Sequence, residues 1–119
     1  MTDSPLAGTW QMVRAERSGD PAPELVTRHI TLELTAETYL VRHAGQVTDQ
    51  GTFATGAVVG RRTMVWHGTA GHNAGRTIPC LYQLRGDRLR ICYGLNGVAP
   101  TEFATTIGDQ RYLATYRRI

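Results

Sequence analysis

The feature that most restricts this chain is its punctuation. Turn signals recur at intervals of about 8–12 residues, and the runs between them read as strands. Strands are expected over residues 9–17, 29–34, 38–43, 46–54, 61–68, 77–85, 88–94 and 110–118. In residues 29–34, apolar Ile30, Leu32 and Leu34 alternate with polar Thr31 and Glu33, the pattern of a half-buried strand. Ser18-Gly19-Asp20-Pro21-Ala22-Pro23 breaks the first strand, and residues 24–28 have room for one helical turn. Gly56 and Gly60 bracket another turn, residues 69–75 read as a mobile loop, and residues 96–100 as a second loop. Eight short strands with one short helical segment predict an all-β fold, an antiparallel barrel or sandwich. No internal repeat, low-complexity tract or linker is visible, so one domain is expected over residues 1–119.

Alternation along the strands assigns faces. Arg85-Gly86-Asp87-Arg88 reads as a tight hairpin with Gly86-Asp87 as its loop, which sets Cys80 opposite Tyr93 and Cys92 opposite Leu81. The two sulfurs then lie on opposite faces of the sheet, and no disulfide is expected. With Arg88 and Arg90 in water, Leu89, Ile91 and Tyr93 turn inward together with Cys80, Tyr82 and Leu84. An outward Arg42 turns Tyr39, Val41 and His43 inward. Counting by two from an inward Trp10 brings Met12, Arg14 and Glu16 to the same face. The expected lumen is therefore lined by Met, Leu, Ile, Val and Tyr, with a polar cluster toward the end away from Trp10. Buried charge is costly unless paired, so Arg14 and Glu16 would pair, meet a polar ligand or sit at the open mouth.

Composition removes several classes of function. No apolar run approaches the roughly 20 residues that cross a bilayer, so no membrane partner is expected. Met1–Ala7 carries an acid, a proline and no basic apolar segment, which does not read as a secretion signal and points to the cytoplasm. All 13 basic residues are arginine, and the formal net charge is +3. Those arginines are scattered among 10 acids rather than clustered with interleaved aromatics, which argues against nucleic acid. His67 and His72 match no compact metal-ligand spacing, and His43 is the candidate if a single histidine held a haem; no metal or cofactor is expected. Ser4 and Ser18 are the only serines and neither lies in a nucleophile motif. Cys80 could approach His43, but a buried cysteine is usually an inert small hydrophobe.

Gly8-Thr9-Trp10 opens the first strand, with Glu16 and Gly19 after it. Further along stand the 82–92 hairpin Tyr-Gln-Leu-Arg-Gly-Asp-Arg-Leu-Arg-Ile-Cys, then Pro100-Thr101-Glu102-Phe103, and finally Thr115-Tyr116-Arg117-Arg118. In these segments, which span nearly the whole chain, the sequence resembles the small lipocalin-like (calycin-type) domains of a bacterial family of largely uncharacterised proteins. The resemblance implies an antiparallel lipocalin-like barrel whose closed end is plugged by Trp10. It also implies that one of the last two arginines, Arg118 the candidate, covers the indole in a cation–π contact. The family supplies no reaction and so no catalytic residue. Its members often follow a secretion signal, which is not read here.

Function then rests on the lumen. The first expectation is non-covalent binding of a small, mainly apolar molecule by Met12, Arg14, Glu16, Tyr39, Val41, His43, Cys80, Tyr82, Ile91 and Tyr93, with residues 69–75 as a flap. The alternative is a cofactor-free cyclase or isomerase in the same chamber, placed in secondary metabolism. Glu16 with Arg14 would do its acid–base work, and Tyr39, Tyr82 or Tyr93 would donate hydrogen bonds. A filled barrel acting through its surface is the third reading.

Overall fold

The computed structural model of the protein describes residues 5–119; the Met1–Ser4 part of the N-terminal reading lies outside them. The elements run β1 (Gly8–Arg17), β2 (Asp20–Pro21), α1 (Glu24–Thr27), β3 (Ile30–Leu34), β4 (Thr38–His43), β5 (Gln46–Val58), β6 (Arg61–Gly71), β7 (Thr77–Arg85), β8 (Arg88–Gly94) and β9 (Arg111–Arg118). Each long strand pairs antiparallel with the next, and β9 returns to β1, so eight strands close a barrel; β2 is a two-residue arm on β1. Every expected strand is present, and the helical turn begins where Pro23 and Glu24 suggest.

Two strands are longer than expected. Gly56 stays in the ladder opposite Thr63, and the turn falls instead on Val59 and Gly60, both at positive φ (37° and 75°). Two consecutive positive φ angles make a type I′ turn, which suits the twist of the flanking strands. Val59 is the wrong residue for it, because a β-branched side chain crowds its own backbone there. It is also 97% exposed, so no packing repays the strain. Val59→Asn is expected to stabilise the protein by about 1 kcal/mol and raise Tm by about 4 °C in a thermal melt. Likewise β6 runs on to Gly71, which pairs with Asp49, so the expected 69–75 loop shrinks to the turn at 72–76.

One bulge rewrites the face of β1. Met12 pairs with Tyr116 but Arg14 with Thr115, so Val13 is an extra residue on the β1 side of the seam. A bulge of this kind inverts the alternation beyond it. Trp10 and Met12 point inward, then Ala15 opposite the buried Ala114, while Arg14 and Glu16 go to the outer face. On β3, β4, β7 and β8 the inner face is as alternation predicts, with Leu32, Leu34, Tyr39, Cys80, Leu89 and Ile91 buried in one core that Met64, Trp66 and Ile78 share.

The closed end is built around Trp10, which is fully buried and donates Nε1–H to the Leu6 carbonyl at 3.0 Å. Arg118 lies 4.3 Å above the indole and donates to the carbonyls of Ala7 (2.8 Å) and Pro5 (2.7 Å). On the outer face, part of the segment between β8 and β9 folds back over β7 and β8. Phe103 lies under the Arg90 guanidinium, and Leu81 and Cys92 are buried outside the main core. Cys80 faces Tyr93 and Cys92 faces Leu81, so the two free thiols stand on opposite faces of the sheet. Register also gathers arginines that are scattered in sequence: Arg85 opposes Arg88, and Arg88 opposes Arg117.

Candidate functional site

A cavity of about 170 Å³ occupies the half of the barrel away from Trp10. Every barrel strand contributes to it: Met12, Ile30, Val41, Thr48 and Asp49, Trp66, Ile78, Tyr93, and Tyr112 with Tyr116. His72, Asn73 and Leu95 add loop residues at the mouth. Its walls are mostly apolar and aromatic. Tyr39 stacks on Trp66 at 4.0 Å, Trp66 meets Tyr93 edge-on at 4.8 Å, and Tyr93 tilts against Tyr112 at 5.7 Å.

The polar feature of this chamber is Asp49, only 6% exposed. A bulge at Thr48 puts it there: Arg42 pairs with Val47 but Val41 with Asp49, so the carboxylate shares the inward face of Val41. Tyr39 donates its hydroxyl to Oδ1 (3.2 Å) and Asn73 donates Nδ2–H to Oδ2 (2.7 Å). Arg76 donates to Asn73 Oδ1 at 3.0 Å and also to the Leu95 carbonyl, which ties the 72–76 turn across the mouth. Gly71 permits that turn: its φ is +88°, and a Cβ there would fall on the Thr48 carbonyl oxygen.

Burial first, then the Asp49 charge and hydrogen bond, push the Tyr39 phenol above its usual range. Burial leads the same upward shift at Tyr93, Tyr112 and Tyr116. These phenols are neutral near pH 7 and act as hydrogen-bonding groups, with Tyr93 and Tyr116 joined at 2.8 Å and Tyr112 donating to Met12 Sδ at 3.7 Å. Burial also raises the Cys80 thiol, which leaves it a weak nucleophile. Among the described residues no cluster of three or more His, Cys, Asp or Glu is placed to hold a metal ion.

The residues singled out from sequence divide into groups. Met12, Val41 and Tyr93 line the cavity. Tyr39 is buried behind it and reaches it through Trp66 and Asp49. Cys80, Ile91 and Tyr82 are packed into the core rather than into the cavity wall. His43 keeps inward parity opposite Ile30 but is exposed at the rim, 6.4 Å from the ring of His29. Arg14 and Glu16 are a correction, because the Val13 bulge places both outside the barrel. There Glu16 lies 4.0 Å from Arg14, whose side chain is 73% exposed, and accepts a 2.8 Å hydrogen bond from the Thr105 hydroxyl. Glu16 thus fastens the β8–β9 segment to the wall.

Asp49, Asn73, Trp66, Tyr112 and Tyr116 were not among the expected site residues. For the two tyrosines a signal existed: if Arg118 covers Trp10 from inside, then Tyr116 and Tyr112 share its face. Compared with family models, curated proteins and solved structures, the chain matches none.

Proposed function

We propose that the barrel binds one small, mainly apolar molecule in its lumen without covalent chemistry. The supporting observation is the cavity itself, with apolar or aromatic side chains from seven of the eight barrel strands around the buried carboxylate that β5 supplies. Its size narrows the guest. An apolar cavity of about 150 Å³ holds a benzene-sized molecule, whereas drug-sized ligands need about 300 Å³ or more. A guest of one ring with a short substituent fits this chamber; a haem or a long lipid does not. The reading carries with it a lipocalin-like binding protein of the cytoplasm, with a small molecule rather than nucleic acid as partner. The arginine row crosses three strands, but the concave, mostly apolar site is the lumen.

The test fills the lumen. Val41→Phe adds volume to the wall and is expected to weaken binding of ethylbenzene by about 10-fold or more, ~1.4 kcal/mol. The binding is read from methyl shifts of Ile30 and Ile78 in an NMR titration. Unchanged affinity, or shifts confined to other methyls, would count against the lumen.

A second reading, a cofactor-free cyclase or isomerase, is favoured by Asp49 alone. With Arg14 and Glu16 outside, the acid–base group of such an enzyme would be Asp49, with Tyr39 and Asn73 positioning it. Turnover of a host metabolite to an equal-mass product, reduced about 10²-fold or more by Asp49→Asn, would select this reading over simple binding.

A further inference from the structure

We infer that the molecule held in the lumen is an organic cation, a small aryl- or alkylammonium whose charge is met by Asp49; the inference rests on the lumen-binding reading above. It begins with an imbalance of charge. Asp49 is 6% exposed, yet the ion pairs among the described residues are Arg14–Glu16, Arg42–Glu33 and Arg111–Glu102, and none includes it. Taking a carboxylate out of water costs several kcal/mol unless a cation or several donors replace the lost solvation. Asp49 has two neutral donors, one per oxygen, from Tyr39 and Asn73. An ionised carboxylate offers about four acceptor positions, so roughly half its capacity remains for a guest. The nearest guanidinium in this network, that of Arg76, is spent on Asn73 and the Leu95 carbonyl instead.

The remaining wall supports the same sign. Trp66, Tyr93, Tyr112 and Tyr116 surround the chamber, and aromatic faces carry negative potential that attracts ammonium groups, Trp most strongly. Most hydroxyl donors that would suit an anionic or carbonyl guest are already used: Tyr39 on Asp49, Tyr112 on Met12, Thr48 on the Val41 carbonyl, and one proton of the Tyr93–Tyr116 pair between them, which leaves one phenol proton for a guest. Among the described residues the basic side chain on the cavity lining is His72, exposed at the rim. A half-satisfied carboxylate at one side of an aromatic-lined chamber, with most of its hydroxyl donors consumed, selects positive charge.

Three probes of closely similar size separate the possibilities: benzylammonium, benzyl alcohol and ethylbenzene, titrated into the wild-type protein and followed by the methyl shifts of Ile30 and Ile78. Benzylammonium is expected to bind about 10- to 100-fold more tightly than either neutral probe. Asp49→Asn is expected to abolish that preference, so that the three probes bind within a few-fold of one another. Equal or tighter binding of the neutral probes overturns the cation assignment while the lumen reading stands. A preference that survives Asp49→Asn overturns the role given to the carboxylate. If no probe moves these methyls, the lumen reading falls and the inference falls with it. The wild-type comparison decides the sign of the guest even where the variant does not fold.

Discussion

Trp10→Ala is expected to lower the stability of the protein by about 3–5 kcal/mol, measured by urea denaturation. The indole is fully buried, so its removal loses the transfer free energy of a large aromatic ring and leaves a void that the closed end cannot refill. It also removes the indole N–H that donates to the Leu6 carbonyl, and it takes away the ring beneath the Arg118 guanidinium. Arg118→Met should cost less, about 1–2 kcal/mol, because it keeps an apolar cover and loses the cation–π contact and two carbonyl partners. The order of the two variants is the informative result. If Arg118→Met were the more damaging, the end of the barrel would be held by the arginine's reach to Pro5 and Ala7 rather than by the packed indole.

Gly51→Ala is the other substitution with a large expected effect, although it adds one methyl group. Gly51 lies opposite both Tyr39 and Gly68, next to a register shift in the β5–β6 ladder. A Cβ at this position would fall on the His67 carbonyl oxygen and within 2.8 Å of Tyr39 Cε2. The first neighbour is backbone and cannot give way without opening the ladder. The second is the ring that stacks on Trp66 and holds Asp49. A loss of about 3 kcal/mol or more is expected, together with loss of probe binding in any fraction that folds. Gly56→Ala is the control in the same strand. Its added Cβ meets only the Thr63 hydroxyl at 3.1 Å, and a change within about 1 kcal/mol is expected. Similar melting curves for the two variants would mean that the approach of β5 to β6 at Gly51 is looser than described.

The sequence is legible where a short turn fixes the register. At Arg85–Arg88 a two-residue loop leaves one way to pair the strands, and the opposition of Cys80 to Tyr93 and of Cys92 to Leu81 follows from it. Parity serves equally on β4, where an outward Arg42 lets Tyr39 and Val41 be placed inward. Alternation fails where the ladder gains a residue. On β1 the clue was present: apolar Trp10 and Met12 are two apart, but the apolar residues that follow, Val13 and Ala15, fall on odd positions. A strict period of two passes over that change of step and carries Arg14 and Glu16 indoors. Asp49 left no comparable mark. A polar residue between Thr48 and Gln50 looks like surface until the Thr48 bulge and the returning Asn73 are known, and both depend on contacts distant in sequence. The expected barrel was therefore readable, whereas the polar heart of its cavity was not.

Closure of β9 onto β1 has a consequence for the order of the strands. Apart from the β2 arm, every seam of the ring joins successive strands, and the last seam sets Arg118 across from Trp10. A ring of this kind has no privileged starting strand. A circularly permuted chain, opened at the strained Val59–Gly60 tip and linked across the β9–β1 seam, would keep every strand pair and the same lumen. It would exchange a turn that costs energy for a linker that need not. The lumen belongs to the circle of strands rather than to the direction in which the chain travels round it.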